Sequence, residues 1–391
     1  MIGQAGPQVK DNTTVTTDLM ILARFATLSG MTKSRGQRKR WKRWLFIAPV
    51  VLLSLVLIAL GVLLFFEWRP EALMNTPIFG KGALAGNSPD ELELVSWNIG
   101  YCGLGKEADF FMDGGSQVRP PEQHLVENNL EAVRIYLENE PADIILLQEV
   151  DSTASRTFGI DQVARITGGL DQHAYSRAIN FKVPWIPYPI FDPIGKVESG
   201  LLSLSRFGYK STQRHQLPGN YAWPVRVFHL KRCLHELRIA APGGKDWVII
   251  HLHLSAFDTG GRLRKEQMAY LKKLILELEA AGHHIVVGGD WNQAFPGLSE
   301  QAFDYQAEIP AWFQKMDPAW TPPGWQWAFD DSIPSLRATN KPYQPGQNFV
   351  TSVDGFLISP EIEILSVEAI DKGFTHSDHN PVRLKLSLKS K

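Results

Sequence analysis

The pattern of hydrophobic and polar positions predicts one long apolar helix, followed by a domain in which short buried strands alternate with amphipathic helices. The strand segments are short aliphatic or β-branched runs bounded by turn-forming residues, whereas the helical segments repeat apolar residues every three to four positions. The predicted strands are 92–97, 143–147, 247–254, 285–287, 353–359 and 382–388, and the predicted helices are 123–140 and 263–281. This uneven alternation predicts an α/β domain with a mixed sheet.

The apolar helix, Leu45–Phe66, contains no charged residue over 22 positions. A bilayer core requires about 20 apolar residues in helical form, so the segment predicts a single membrane span. A buried core helix and a cleaved signal peptide are weaker alternatives, because the apolar core of a signal peptide is only about 7–15 residues long. Seven Lys/Arg residues lie between 33 and 43, which predicts an N-terminus in the cytoplasm and a catalytic domain outside it.

The chain therefore divides into four predicted parts: a basic cytoplasmic segment at 1–44, a transmembrane signal anchor at 45–66, a linker at 67–90 and a globular domain at 91–391. The linker is assigned because it is rich in proline, glycine, alanine and asparagine. Met31 opens a basic stretch typical of the start of a membrane protein. The first thirty residues are therefore interpreted as a disordered extension or as the result of a mis-assigned start.

Charge is distributed unevenly. Residues 1–44 hold nine Lys/Arg and two Asp/Glu, which leaves 31 basic and 39 acidic residues in the rest of the chain. An acidic body does not favour long nucleic acid as a partner, although a local basic groove formed by Arg262, Arg264, Lys265, Arg337 and Lys341 stays open. The two cysteines, Cys102 and Cys233, fit neither a disulfide scaffold nor a zinc cluster. We expect two buried thiols, with a single bridge as the alternative.

Polar residues follow the predicted strands at the points where the strands end. In HHIVVGGDWNQ, Asp290 and Asn292 lie two positions apart, so in an extended backbone both side chains would face the same pocket. An Asx turn is the simpler explanation of this motif alone. Similar groups occur in five further motifs: SWNIG, LLQEVD, HLHLSAFD, SVDGFLIS and SDHNPV. Each motif is a weak signal, but six beside strands in this order are hard to ascribe to chance.

These six motifs, which extend over residues 94–388, resemble those of the endonuclease/exonuclease/phosphatase superfamily, which includes deoxyribonuclease-like enzymes and neutral sphingomyelinases. The resemblance implies a four-layer sandwich, in which two mixed β-sheets pack face to face and are flanked by helices. It also implies a divalent metal ion, usually Mg²⁺, with Mn²⁺ as the alternative. Among the matching residues, it implies that Glu149 is the principal metal ligand, with Asn98 and Asp378 assisting.

The resemblance also implies catalytic roles for five residues. Asp290 would orient and deprotonate the attacking water, and Asn292 would hold the phosphate. His379 would be the essential histidine, hydrogen-bonded to Asp354, while His253 would donate to the phosphate or to the leaving oxygen. Whether the His379–Asp354 pair acts as a base or as a charge stabiliser is left open.

One position departs from the superfamily pattern. Asparagine is common two residues before the histidine of the third motif, and this chain has His251 there. We interpret His251 as a structural residue behind the site, with an added phosphate contact as the alternative. Two proline- and tryptophan-rich stretches, 183–194 and 309–329, are expected to be ordered loops that cap the core, line a substrate cleft or touch the bilayer.

The sequence thus predicts a membrane-anchored, metal-dependent phosphoesterase that hydrolyses a phosphodiester or phosphomonoester by in-line attack of an activated water. A lipid or lipid headgroup is the favoured substrate because it fits the tether, the acidic body and the aromatic loops. An extracytoplasmic endonuclease or exonuclease is the alternative. A catalytically dead binding protein on the same fold is the least favoured, because no acid or histidine of the motifs is missing. The sequence does not indicate an oligomeric state.

Overall fold

The computed structural model describes residues 35–258 and 260–389. The chain forms two compact units that divide between Phe65 and Phe66, and each is described by itself. Helix α1 (Arg35–Phe66) belongs to the first unit except for its last residue, and it begins ten residues before the predicted apolar segment. The part from Lys42 to Phe66 contains an 18-residue stretch with a mean hydropathy of 3.0 and no buried residue, so by length and composition it could span a membrane. The expectations about Met1 and Met31 concern residues outside the described part of the chain.

The second unit contains two seven-stranded mixed sheets. The first sheet has the strand order β1-β7-β8-β9-β10-β14-β11, and the second has the order β15-β16-β3-β4-β6-β5-β2; β12 and β13 form a separate pair. The strands are β1 (Leu73–Asn75), β2 (Ile78–Phe79), β3 (Glu91–Asn98), β4 (Ile144–Asp151), β5 (Ala174–Ile186), β6 (Gly195–Ser205), β7 (Tyr209–Gln216), β8 (Cys233–Ala240), β9 (Asp246–His253), β10 (His284–Asp290), β11 (Gln326–Ala328), β12 (Leu336–Arg337), β13 (Val350–Thr351), β14 (Asp354–Ile358), β15 (Ile362–Ala369) and β16 (Val382–Leu388). The helices of this unit are α2 (Gln123–Glu138), α3 (Gln162–Thr167) and α4 (Arg262–Ala280).

Three apolar clusters hold these elements in four layers. One lies between the sheets and joins residues such as Leu94 of β3 to Trp247 of β9. A second lies between the second sheet and helices α2 and α3, where Val95 of β3 belongs to the same cluster as Val133. The third joins the first sheet to α4, with Ile250 and Ile275 among its members. Both faces of each central strand are therefore buried, which explains why these strands appear in the sequence as unbroken apolar runs. The predicted four-layer sandwich is confirmed.

The segment 67–90 differs from the linker that its composition suggests. Strand β1 pairs with β7 at one edge of the first sheet, with Leu73 opposite His215. Strand β2 pairs with β5 at an edge of the second sheet, with Ile78 opposite Ser176. Strands of two or three residues are too short to show a periodicity, and they form here because the edge strands offer unpaired backbone groups.

Candidate active site

The predicted site residues lie where four strands end at one edge of the sandwich. Strands β9 and β10 are parallel neighbours, and their register places His253 beside Asp290. On its other side, Asp290 is opposite Asp354 of β14. In the facing sheet, β3 and β4 are also parallel, and Asn98 is paired with Gln148. Side chains that are far apart in the sequence are thereby gathered at one site, as the carboxyl ends of parallel strands often are.

The buried carboxylate of Asp290 is the centre of this site. Its Oδ2 accepts a hydrogen bond from Nδ2 of Asn98 at 3.0 Å and lies 3.2 Å from Nε2 of His253. The same oxygen is 3.3 Å from Nδ2 of Asn292 and 3.9 Å from Nε2 of His379. Burial and the nearby carboxylate of Asp354 raise the pKa of Asp290 to about 7, against the lowering effects of His379, Asn292 and Asn98. A carboxylate with such a pKa can accept a proton near neutral pH.

His379 and Asp354 form a hydrogen-bonded pair, as the resemblance implies. Nδ1 of His379 lies 2.7 Å from Oδ2 of Asp354, and Oγ of Ser335 donates to that oxygen at 2.7 Å. Burial alone would lower the pKa of His379, but the charges of Asp354, Asp378 and Asp290 and the hydrogen bond to Asp354 raise it to about 10. His379 is therefore an imidazolium at neutral pH, and its Nε2 is the ring nitrogen nearer Asp290. Ser335 was not predicted, because nothing marks it in the sequence.

Two further acids, Glu149 and Asp378, line the same cavity. Glu149 has a φ of 57°, and it lies where the pairing of β4 with β6 shifts between Leu147 and Val150. Such an irregularity turns a side chain away from the alternation of the strand, and it is common beside active sites. Burial and the charge of Glu149 raise the pKa of Asp378 to about 6, although His379 and Arg337 oppose the shift. Both acids are suitable ligands for a hard cation.

Several of these groups fit a divalent metal ion, since Mg²⁺ prefers oxygen ligands and needs only one or two carboxylates. Ligand atoms of Asp290, Asp354 and His379 all lie within 4.8 Å of one another and could hold an ion. However, His379 and Asp354 are bonded to each other through Nδ1 and Oδ2, and both oxygens of Asp290 accept hydrogen bonds. Of the oxygens of these two carboxylates, Oδ1 of Asp354 is the one without a hydrogen-bond partner among the described residues. The carboxylates of Glu149 and Asp378 complete an oxygen-rich wall at the same cavity.

Asn98 uses both the oxygen and the nitrogen of its side-chain amide within the site. Its Oδ1 accepts a hydrogen bond from the backbone N–H of Gly100 at 3.0 Å, and its Nδ2 points towards Asp290. Oε1 of Glu149 lies 3.5 Å from the same Nδ2. In this arrangement Asn98 orients the two acids, and its Oδ1 accepts one hydrogen bond and keeps its second lone pair for a further contact.

The motif that contains Asp290 folds as a tight turn at the end of β10. Asn292 has a φ of 52°, which asparagine tolerates well, and its backbone N–H donates to Oδ1 of Asp290 at 2.8 Å. Its Nδ2 also donates to the backbone oxygen of Leu254 at 3.0 Å. The Asx turn is therefore present, and Asp290 and Asn292 both line the cavity.

His251 and His253 lie on the same strand face but have different surroundings. Nε2 of His251 is 2.7 Å from Nε2 of Gln148, and Nδ1 is 2.8 Å from Oγ of Ser203. Nε2 of Gln148 is an amide nitrogen, which can only donate a hydrogen bond. His251 therefore accepts at its Nε2 and carries its proton on Nδ1. Burial holds the pKa of both histidines well below the ordinary value. His251 is thus a neutral structural residue between the sheets, whereas His253 lines the cavity.

Arg232 is a site residue that the sequence did not reveal. It lines the cavity and is about nine-tenths buried, yet its Nη1 has no hydrogen-bond partner among the described residues. Burial lowers the pKa of Arg232, while the charges of Glu149 and Asp290 oppose that shift. Arg156 also lines the cavity, but its guanidinium is held by both oxygens of Asp151. The only sequence signal for Arg232 is its place directly before β8, a strand that was not predicted.

The cavity has a volume of about 500 Å³ and combines a polar end with mostly apolar walls. Its apolar lining includes Tyr101, Leu104, Phe110, Phe111, Val118, Phe181, Ile186, Pro187, Tyr188, Ile194, Phe228, Leu230, Leu263 and Trp312. The aromatic stretch 183–194 therefore lines a cleft, which is one of its three predicted roles. The tryptophans of the stretch 309–329 lie in two different places. Trp312 lines the cavity, whereas Trp320, Trp325 and Trp327 pack in the third apolar cluster.

The comparisons with known proteins agree with this geometry. The sequence model of the Endonuclease/Exonuclease/phosphatase family matches residues 95–379. No curated protein matches the chain. An endonuclease/exonuclease/phosphatase from Beutenbergia cavernae DSM 12333 is 17% identical, with a TM-score of 0.50, and the match covers 77% of this chain and 72% of that one.

Two further solved structures are similar to this chain at lower TM-scores. Truncated TDP2 of Caenorhabditis elegans is 16% identical, with a TM-score of 0.46, and 76% of this chain and 97% of that one are covered. The human Nocturnin catalytic domain, solved with a bound sulfate anion, is 17% identical, with a TM-score of 0.46. The match covers 80% of this chain and 98% of that one.

Proposed function

Since the chain belongs to the endonuclease/exonuclease/phosphatase family, whose members are metal-dependent phosphoesterases, we propose that it hydrolyses a lipid phosphodiester at a membrane surface. Membership in this family makes the protein a phosphoric ester hydrolase. What we propose is that its substrate is a lipid. The observation that carries the proposal is the continuity of the cavity. One end holds Asp290, Glu149 and His379, and the remainder is lined mainly by aromatic and aliphatic side chains. A phosphate flanked by hydrocarbon matches that division.

Glu149 and Asp378 are the proposed ligands of a divalent cation, Mg²⁺ or alternatively Mn²⁺, with Asp290 beside them. Their carboxylates face the same cavity, and the raised pKa of Asp378 reflects a buried acid without enough compensating positive charge. When bound, the cation would withdraw charge from the phosphoryl oxygens and help to orient the ester. Isothermal titration should detect Mg²⁺ binding by the full chain in detergent, and Glu149→Gln should weaken it at least tenfold.

Asp290 is the proposed base for the attacking water. Asn98 and the backbone N–H of Asn292 fix its carboxylate, and its pKa of about 7 allows it to take a proton. His379 is charged and is held by Asp354, so its Nε2–H can stabilise negative charge on the phosphoryl group. This assigns the pair the role of charge stabiliser, which the sequence had left open.

Phosphate binding is assigned to Arg232 and His253, together with Asn292 once the 3.3 Å contact of its Nδ2 with Asp290 is exchanged for the phosphate. The free Nη1 of Arg232 supplies a charged donor in a buried position, where such a hydrogen bond is strong. His253 is neutral, and its Nε2–H can donate to Asp290 or to an oxygen of the bound ester.

A nucleic-acid substrate is less favoured. Two of the arginines that could have built a basic groove, Arg264 and Arg337, are buried and donate to backbone carbonyls, for example those of Asn292 and Gly105. They are therefore unavailable to a phosphate backbone. The remaining walls of the cavity are mostly apolar, whereas single-stranded or duplex nucleic acid requires a positively charged track.

The proposed topology is a single-pass membrane protein with Leu45–Phe66 in the bilayer and the catalytic unit outside the cytoplasm. Arg40, Lys42 and Arg43 lie in the first part of α1, on the side that the positive-inside tendency retains in the cytoplasm. A membrane-impermeant thiol reagent tests this orientation. It should label Glu363→Cys on intact cells, whereas labelling only after lysis would contradict the proposed topology.

The decisive experiment is a substrate panel for the full chain in nanodiscs with Mg²⁺. The panel contains phospholipid and sphingomyelin vesicles, plasmid DNA, single-stranded RNA and inositol phosphates, with Asp290→Ala as the inactive control. We expect the lipid to be cleaved at least tenfold faster than nucleic acid, and activity to be lost with a chelator. Faster cleavage of plasmid than of lipid would replace the proposal by the nuclease alternative. No Mg²⁺ binding and no cleavage of any ester would indicate a catalytically dead protein.

A further inference from the structure

The hairpin of β5 and β6 carries an apolar tip, residues 185–191, that is exposed to solvent. Phe191 is 100% exposed and Ile190 is 80% exposed, while Trp185 and Tyr188 are more than half exposed. A single exposed apolar residue is ordinary in a soluble domain. Four large ones within seven residues, one of them fully exposed, are typical of a surface that is covered by a partner.

This tip adjoins the mouth of the catalytic cavity. Ile186, Pro187 and Tyr188, on the same hairpin, line the cavity. Tyr188 is both exposed and cavity-lining, and the same is true of Met112 and Val225. The exposed apolar surface is therefore continuous with the entrance through which a substrate would pass.

The chain also ties this rim to the end of the apolar segment. Glu67 is the residue directly after Phe66, and within the globular unit its buried carboxylate accepts a hydrogen bond from Nε of Arg226 at 2.8 Å. Nζ of Lys231 lies 4.0 Å from the same oxygen. Arg226 follows Val225, a residue of the cavity rim. The first residue beyond the apolar segment is thus fixed beside the mouth of the cavity.

We propose that the tip formed by residues 185–191 docks into the surface of the lipid bilayer and holds the mouth of the cavity against it. This inference rests on the proposed membrane attachment, and it gives the proposed lipid substrate a route into the site. A bilayer is favoured over a second protein because Trp and Tyr are characteristic of the membrane–water interface, where Phe and Ile can enter the acyl region. The short path from Phe66 to the cavity rim, through the peptide bond to Glu67 and the hydrogen bond of Glu67 with Arg226, gives the same preference.

The test uses the full chain in nanodiscs that contain one copy each. Phe191→Cys carries an environment-sensitive fluorophore, and Glu363→Cys is the matched control. The native Cys102 and Cys233 are buried and should remain unlabelled. Glu363 is exposed on β15, which is five strands from β5 in the second sheet, or on the order of 24 Å at a spacing of about 4.8 Å.

We expect a spin label on the lipid headgroup or upper acyl chain to quench the fluorophore at 191 at least threefold more than that at 363. Equal quenching at the two positions would overturn the proposal. An emission shift at 191 that requires two copies per disc would also overturn it, because the tip would then be a contact between chains. Hydrolysis of a soluble aryl phosphodiester by the labelled protein checks that it is folded.

A second pair of variants measures the consequence for activity. Ile190→Asp with Phe191→Asp should lower hydrolysis of lipid in the bilayer at least fivefold and leave hydrolysis of the soluble diester unchanged. Leu365→Asp, an exposed leucine on β15, should change neither activity. If the full chain cleaves no lipid at all, the lipid-substrate proposal fails, and the quenching experiment still decides whether the tip docks.

Discussion

Nδ1 of His379 and Oδ2 of Asp354 are 2.7 Å apart although the two residues are 25 positions apart in the chain. The bond fixes the imidazole with Nε2 towards Asp290, 3.9 Å from its Oδ2. Because Asp354 is fully buried and also accepts a hydrogen bond from Ser335, its orientation does not depend on solvent. The pair therefore provides a positively charged donor at a fixed place beside the proposed base.

Asp354→Asn should keep the shape of this pair and remove its charge. The pKa of His379, raised to about 10 in the native protein, should fall towards its ordinary value of 6.5. A reaction step that requires the His379 imidazolium should proceed below the pKa of His379 and stop above it. We therefore expect the alkaline limb of the pH–rate profile to move to lower pH, with a loss of kcat of about thirtyfold at pH 8. Ser335→Ala is the control and should cost less than tenfold; an unshifted limb in Asp354→Asn would contradict the assignment.

Arg232→Gln should affect the chemical step through the loss of a charged donor to the phosphate. One such donor is worth about 3 kcal/mol at the transition state, so kcat/KM should fall roughly a hundredfold. Arg232→Lys should recover part of this loss, because it restores the charge without the planar guanidinium. Steady-state kinetics on a soluble diester measure both variants. A change of less than threefold in Arg232→Gln would show that the free Nη1 has no role in phosphate binding.

Gly289→Ala should destabilise the globular unit strongly. Gly289 has a φ of 140°, and a Cβ at this position would lie 2.0 Å from the backbone oxygen of Leu252 on the adjacent strand. Neither strand can shift without moving Asp290 and His253, so we expect a loss of about 3 kcal/mol or more in unfolding free energy. Gly243→Ala is the control, since its Cβ would meet nothing within 4 Å despite a φ of 75°. Urea unfolding followed by tryptophan fluorescence compares the two.

Acid should destabilise the fold through His235. Burial lowers the pKa of this histidine from 6.5 to about 3, and the charges of His215 and Arg214 act in the same direction. Its Nδ1 lies 3.0 Å from Oγ of Ser203 between the two sheets. Between these pKa values the unfolded chain binds a proton that the folded chain excludes, so stability rises with pH. The contribution is complete above pH 6.5 and is lost progressively as the pH falls towards 3.

The expected loss from His235 is about 2 kcal/mol between pH 6.5 and pH 5, at 1.4 kcal/mol per pH unit. Urea unfolding of the full chain in detergent at both pH values gives this difference. His235→Gln should reduce the pH dependence even if it lowers stability at every pH. His124→Gln, at an exposed position, should leave the pH dependence unchanged. An identical pH dependence in native protein and His235→Gln would show that another group is responsible.

The sequence by itself determined which segments are buried, and it indicated most of the polar residues that the structure gathers at one cavity. Strands β3, β4, β9, β10 and β14 were predicted within a few residues because each contains a run of apolar residues buried on both faces, and β16 was predicted because its apolar residues alternate with polar ones. The helix predicted at 123–140 ends at Glu138 in the structure, and the one at 263–281 is Arg262–Ala280. The apolar segment at 45–66 was also evident, since length and hydropathy are local properties of the chain.

Only the tertiary structure decided which of these residues meet. Strands β5 to β8 mix polar and apolar residues and were not predicted, and with them the hairpin tip and Arg232 were missed. Asn98 and Asp290 are 192 positions apart, and their 3.0 Å contact depends on the packing of one sheet against the other. The apolar and polar pattern of a segment indicates which of its faces is buried. It does not indicate which other segment packs against that face. Register, sheet order and the cavity between the loops therefore follow from long-range packing, which no single stretch of sequence encodes.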